Sequence, residues 1–241
     1  MIHIDIIAGA RPNFIKISPL INAIIKKNNH KDIINFRLIH TGQHYDTSMS
    51  DDFFDQLNIP LPDFNLNAGG GSYMDQASKI MIGYENILKK KLPDFCVVVG
   101  DVISTMACSI VAKINKVNLI HIEGGIRSFD RRMPEEINRL ITDSISDYFF
   151  TTSMSANKNL INEGINKENI FFVGNTMIDT LLKHRENFKP PPIWETAKLK
   201  KKNYIVLTLH RPSNVDNQKQ LHNLLKVISD KCDNIPVIFP V

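Results

Sequence analysis

Apolar runs of strand length alternate with segments of helical period along most of the chain. Four to six consecutive apolar residues, without polar alternation, mark strands buried on both faces. The pattern predicts strands at residues 3–8, 36–40, 95–99, 117–122, 148–151, 170–173, 204–209 and 237–240. Between them, apolar residues spaced three and four apart predict helices at 14–27, 73–90, 105–114, 134–146, 156–163, 177–187 and 218–230. Continuous strands separated by helices imply an α/β fold with a parallel sheet covered on both faces.

The pattern breaks at Lys189-Pro190-Pro191-Pro192, and a lysine-rich stretch runs on to Lys202. Three prolines followed by clustered charge read as a linker. The expected organisation is an N-terminal domain at 1–188, a linker at 189–202 and the start of a second Rossmann-like domain at 203–241. One β-α-β unit is too little to close a core. The sequence is therefore expected to be a fragment of a longer two-domain protein, inactive by itself.

Composition adds bounds. The 241 residues are 43% hydrophobic and 22% charged, with a formal net charge of +4. No basic stripe interleaved with aromatics is present, so nucleic acid is not an expected partner. No apolar run approaches the ~20 residues of a membrane span, and the start MIHIDIIAGARP lacks the layout of a signal peptide. Cys96, Cys108 and Cys232 lie far apart in apolar segments, without zinc spacing. They read as core thiols of a cytoplasmic protein.

Candidate chemistry collects where strands end, which in an open parallel sheet is the ligand crevice. The segment from His121 to Arg139 is the densest. Glu123 ends an apolar strand and is followed by Gly124-Gly125. Arg127, Asp130, Arg131, Arg132, Glu135, Glu136 and Arg139 come next. A carboxylate in such a place is expected to be partly desolvated, which raises its pKa and suits a general base. Glu135 and Glu136 open a helix, where acidic residues also serve the dipole. Asp101 follows Gly100 at another strand end and reads equally as an active-site carboxylate or as a helix N-cap.

At the first strand end, Gly9-Ala10-Arg11-Pro12-Asn13 and Lys16 offer an anion site built on a helix N-terminus. A solvated cap is the bland reading. The loop is neither G-x-G-x-x-G nor Walker A, so no nicotinamide site is supported, and no cofactor or metal is expected. Gly69-Gly70-Gly71-Ser72 lacks the following lysine of a phosphate loop. His210-Arg211 and Thr41-Gly42-Gln43-His44 also end strands.

Together these residues resemble the non-hydrolysing UDP-N-acetylglucosamine 2-epimerases. The matching segments are Gly9-Ala10-Arg11-Pro12 with Lys16, Thr41-Gly42-Gln43-His44, Gly100-Asp101, His121-Ile122-Glu123-Gly124-Gly125-Ile126-Arg127, Pro134-Glu135-Glu136-Ile137-Asn138-Arg139, Val173-Gly174-Asn175-Thr176 and His210-Arg211. They follow family order along the whole chain. The resemblance implies two Rossmann-like domains of GT-B type, the second incomplete here, facing across a cleft. It implies a cytoplasmic homodimer formed through the N-terminal domain. The implied reaction is conversion of UDP-GlcNAc to UDP-ManNAc for bacterial surface polysaccharide such as capsule. The family eliminates UDP across C1–C2 and adds it back with the C2 proton on the opposite face. By motif position the implied catalytic residues are Asp101, Glu123, Glu135 and His210. Arg11, Lys16, Gln43, His44, Arg127, Asn175 and Arg211 are implied to bind the UDP-sugar. Asn13 and Asp46 depart from the family's usual Glu and Gln, the latter in members activated by their own substrate. Competing readings are a hydrolysing relative releasing ManNAc, a sugar transferase, and a non-catalytic sugar-nucleotide-binding fragment.

Overall fold

The computed structural model describes residues 1–28, 33–42, 51–209, 212–232 and 235–240. They form two compact units, Met1–Arg185 and Glu186–Val241. The first unit contains β1 (Ile2–Ala8), α1 (Arg11–Asn28), β2 (Ile34–His40), α2 (Asp51–Leu57), β3 (Phe64–Asn65), α3 (Tyr73–Leu88) and β4 (Phe95–Val99). These are followed by α4 (Ile103–Ile114), β5 (Asn118–Ile122), α5 (Pro134–Ile145), β6 (Tyr148–Thr151), α6 (Met154–Asn162), β7 (Ile170–Phe172) and α7 (Thr176–His184).

The seven strands make one sheet in the order β3-β2-β1-β4-β5-β6-β7, every pair parallel. The order reverses between β1 and β4, so the topological switch point lies at the carboxyl ends of those two strands. Side-chain alternation along the strands divides the core in two. Ile6, Ala8, Leu38, Val97, Val99 and Ile122 pack on one face with Phe14, Ile17, Ile21 and Ile24 of α1 and with Phe53, Phe54 and Leu57 of α2. Ile7, Ile39, Cys96, Val98 and Leu119 point to the other face, against α3 and α4. This is why the strands read as unbroken apolar runs: each alternate residue has a core to enter, at roughly 1.5–3 kcal/mol per large aliphatic side chain.

The helices start and stop for local reasons. Ser72 and Asp75 form a reciprocal capping box at the start of α3. Pro134 takes the first turn of α5, where its missing N–H costs nothing. Helix α4 is buried on nearly every side, its contacts shared between α3 and α5. Asp5, fully buried in β1, is satisfied by its cross-strand neighbour Arg37 at 2.7 and 2.8 Å and by the Tyr84 hydroxyl at 3.1 Å.

Two elements of the first unit depart from the expected pattern. The helix Asp51–Leu57 is only seven residues long, and the strand Phe64–Asn65 only two. Neither is long enough to show a period, and Pro60 and Pro62 interrupt the segment between them. In the second unit α8 (Ile193–Thr196), β8 (Ile205–Val206), α9 (Pro212–Val215), α10 (Gln218–Lys231) and β9 (Val237–Ile238) follow one another. Strands β8 and β9 pair in parallel, shorter than the apolar runs suggested. The segment expected as a linker holds the short helix α8, whose Trp194 ring meets Tyr204 at 6.0 Å.

Candidate functional site

The carboxyl ends of β1, β4 and β5 bring together most of the described candidate residues. After β1, the buried Asn13 folds back on the loop. Its Oδ1 accepts from the N–H groups of Gly9 (3.1 Å) and Ala10 (2.9 Å), and its Nδ2 donates to Val99 O (3.3 Å). One amide thus ties the β1 loop to β4 and fixes where α1 begins. Arg11 leaves that loop with its guanidinium 4.9 Å over the Phe53 ring, a cation–π contact. Lys16 points from the first turns of α1 toward β5.

Lys16 Nζ donates to Glu123 Oε2 at 2.6 Å, with side-chain exposures of 16% and 9%. Glu123 follows β5 with φ +70°, a left-handed conformation rare for a residue with a side chain. Its N–H donates to Phe150 O (2.8 Å), which holds the backbone there. Gly100 lies directly under the ion pair. A Cβ on it would lie 3.3 Å from Lys16 Nζ and 3.5 Å from Glu123 Oε2, and its φ is +69°. The backbone favours glycine, and a side chain would crowd the ion pair.

Asp101 comes next, and its helix-cap reading is corrected by the structure: α4 starts at Ile103, with Val102 at the cap position and no side-chain cap. The Asp101 carboxylate instead turns to α5, where Oδ2 accepts from Arg139 Nε (3.0 Å) and pairs with Nη2 at 2.9 Å. Its backbone carbonyl accepts from Asn138 Nδ2 at 2.7 Å, and the Tyr73 hydroxyl donates to Asn138 Oδ1. Glu135 is exposed on the first turn of α5, its charge felt by Tyr73. Burial, together with Glu135, pushes the Tyr73 phenol up. Glu136 points the other way. It is buried and accepts the N–H groups of Ser128 and Phe129, both at 2.9 Å, together with Arg139 Nη1. Burial pushes its carboxyl up, but the two backbone donors outweigh burial and hold it below the usual range.

Beneath these groups runs a buried ionic network. His121 Nδ1 is 2.6 Å from Asp143 Oδ1, and Nε2 is 2.8 Å from Gly100 O. A carbonyl can only accept, so Nε2 carries a proton. With a carboxylate at Nδ1, the ring is held as the imidazolium. Burial alone would lower the His121 pKa; Asp143 and the Gly100 carbonyl raise it above the ordinary imidazole value. Burial likewise disfavours the Asp143 charge, but His121 and Arg127 keep its carboxyl below the usual range. Arg127, expected on the substrate, is turned into this network instead. Its side chain is 1% exposed and bonds Asp143 Oδ2 (2.6 Å) and Glu163 Oε1 (2.8 Å). A guanidinium so enclosed orients the loop after Glu123 rather than meeting a ligand.

Asn175, also expected on the substrate, caps α7 by accepting the Met177 N–H at 2.9 Å. Gln43, His44, His210 and Arg211 lie outside the described residues. Sequence reasoning gave no role to Tyr73, Asn138 or Arg139, although the last two stand in segments it singled out. Arg139 was legible in principle, since it stands three residues after Glu136 on one helix face. Among the described residues no group of three His, Cys, Asp or Glu side chains is arranged to hold a metal ion.

The switch point thus gathers Asp101 after β4, Glu123 after β5 and Lys16 of α1, with Asp101 tied to α5. Residues 26–241 match the family model described as UDP-N-acetylglucosamine 2-epimerase. The chain belongs to the UDP-N-acetylglucosamine 2-epimerase family. It is 42% identical over 228 residues to the UDP-N-acetylglucosamine 2-epimerase of Methanocaldococcus jannaschii, covering 93% of this chain and 61% of that one. It is 37% identical to the UDP-2,3-diacetamido-2,3-dideoxy-D-glucuronate 2-epimerase of Pseudomonas aeruginosa, covering 98% of this chain and 65% of the relative. The crystal structure of the M. jannaschii epimerase in complex with UDP-GlcNAc and UDP superposes with a TM-score of 0.85 at 40% identity. That match covers 99% of this chain and 65% of the other. The family fold, α/β with Rossmann-like parallel sheets of GT-B type, is therefore the fold of this chain. The chain spans under two thirds of the length of these relatives. No helix among the described residues is long and apolar enough to cross a membrane.

Proposed function

We propose that the protein inverts C2 of UDP-N-acetylglucosamine, giving UDP-N-acetylmannosamine without net hydrolysis. The observation that carries this reading is the convergence of Asp101, Glu123 and Lys16 at the switch point, in a chain of this family. The C2–H of the sugar is weakly acidic, so a base alone removes it slowly. Loss of UDP from C1 supplies the driving force. One carboxylate takes the C2 proton, the C1–O bond breaks, and its electron pair leaves with UDP. The product is 2-acetamidoglucal. Re-addition of UDP at C1, with a proton delivered to the opposite face of C2, completes the inversion. Proton acceptors and donors are then needed on two faces, which accounts for several carboxylates in one crevice.

Asp101, Glu123 and Glu135 are the proposed acid–base and cation-stabilising residues, with His210 as a fourth group. Arg11 and Lys16 are proposed to meet the departing diphosphate, with Gln43, His44, Asn175 and Arg211 on the nucleotide sugar. In this role Lys16 exchanges its bond to Glu123 for one to phosphate, which frees Glu123 Oε2 as ligand arrives. Action as a cytoplasmic homodimer in the synthesis of surface polysaccharide fits the same reading.

Product analysis tests it. The full-length protein incubated with UDP-GlcNAc is expected to yield a nucleotide-linked ManNAc at equilibrium with substrate. Free ManNAc and stoichiometric UDP would establish the hydrolysing reaction instead. The P. aeruginosa relative favours a second substrate, a UDP-linked 2,3-diacetamido sugar acid. Turnover of that sugar with none of UDP-GlcNAc would replace the substrate and keep the chemistry.

A further inference from the structure

Asp101 is fixed twice by two consecutive residues of α5. Asn138 Nδ2 holds its backbone carbonyl at 2.7 Å, and Arg139 holds its carboxylate Oδ2 through Nε and Nη2. Both Arg139 nitrogens face the same oxygen, Nε as hydrogen-bond donor and Nη2 in the ion pair. Oδ1 accepts no hydrogen bond from the described residues, so one oxygen is anchored and the other is left to act. The Asp101 side chain is 34% exposed and Arg139 only 10%, so the anchor lies on the protein side.

Arg139 is itself held. Its remaining terminal nitrogen, Nη1, donates to the buried Glu136, which also takes the N–H groups of Ser128 and Phe129. Phe129 sits at φ +60°, a strained conformation for an aromatic residue, with its ring exposed. The turn that follows Glu123 is therefore tied to the Asp101 carboxylate through two side chains, Glu136 and Arg139. A guanidinium suits this place because its rigid fork fixes direction, where an ammonium would act as a point charge.

We propose that Arg139 is a positioning residue that aims the Asp101 carboxylate into the crevice, and that Glu136 holds Arg139 for this purpose. The inference rests on the catalytic reading of Asp101 given above. Displacement of a reacting group by about 1 Å can cost about 10²-fold in rate. Arg139→Gln in the full-length protein is expected to lower kcat for UDP-GlcNAc by about 10²-fold with KM within about threefold, and Arg139→Lys to recover only part of the loss. Residues that act as one unit are not additive. Arg139→Gln combined with Asp101→Asn should therefore be no slower than Asp101→Asn alone. A crystal structure of the Arg139→Gln variant is expected to show the Asp101 carboxylate in a different rotamer while α4 and α5 keep their places. Losses that multiply in the double variant, or an Asp101 carboxylate that keeps its direction, would overturn the proposal. If the full-length wild-type protein turns over no UDP-GlcNAc, the proposed function fails, and the crystal structure still decides the positioning.

Discussion

Replacing Lys16 with Met tests what Lys16 does in the resting protein. The substitution keeps the length of the aliphatic stem and removes the ammonium, which donates to Glu123 Oε2 at 2.6 Å. The Glu123 backbone would stay where it is, because its N–H is bonded to Phe150 O. Breaking a fully buried ion pair from one side costs about 3–5 kcal/mol. Exposed pairs are worth about 0–1 kcal/mol. At exposures of 16% and 9% this pair stands between those limits, so a loss of about 2 kcal/mol is expected. For a unit of this size that corresponds to a fall in Tm of about 4–8 °C. Calorimetry or urea unfolding reads it directly, and Glu123→Gln supplies the control. With Glu123→Gln added, no buried carboxylate is left without its cation, and the pair of substitutions should cost clearly less than the sum of the two singles. A Lys16→Met protein as stable as wild type, or a strictly additive double variant, would show that the ion pair contributes nothing at rest and leave Lys16 as a ligand contact alone.

Other substitutions probe different links. Gly125 has φ +80°, and a Cβ there would lie 2.5 Å from Ala156 O and 2.8 Å from Leu160 Cγ; Gly125→Ala should destabilise by about 3 kcal/mol or more by denaturant unfolding, and a loss under about 1 kcal/mol would contradict the packing. The folded-state pKa of His121 lies above its unfolded value of about 6.5, so its contribution to stability is complete below that pH and is lost as pH rises through the folded value. His121→Gln should remove that part of the decline, which unfolding curves from pH 6 to 9 would measure; an unchanged slope would mean that His121 is neutral when folded. Arg11→Ala is expected to weaken UDP binding by about 1.5–3 kcal/mol by calorimetry, and unchanged affinity would remove Arg11 from the proposed nucleotide contacts.

The sheet was legible because its strands are buried on both faces, so each appears as an apolar run. Short elements were not: Asp51–Leu57 and Phe64–Asn65 are held by burial of Phe53, Phe54 and Leu57 and by pairing to β2, neither of which leaves a period. At the site, the strand-end rule located Asp101, Glu123 and Lys16 but not their partners. Lys16 and Glu123 are 107 positions apart, and only the strand order β1-β4-β5 brings them into contact. The carboxylates of the acidic stretch after Glu123 look alike in sequence. In the fold Glu135 faces solvent, Glu136 is consumed by backbone N–H groups, and Arg127 is consumed by Asp143 and Glu163. Which charge is spent inside the protein depends on turn geometry around Gly125 and Phe129, where backbone angles rather than residue types decide.

The central claim is that a proton leaves C2 and another returns from the opposite face. Incubation of the full-length protein with UDP-GlcNAc in D2O, followed by NMR of the recovered nucleotide sugars, tests it most directly. The account predicts UDP-ManNAc carrying deuterium at C2, with both activity and exchange falling by roughly 10²–10⁴-fold in Glu123→Gln and Asp101→Asn. Inverted product that retains the original hydrogen at C2, or deuterium uptake undiminished in both variants, would contradict it.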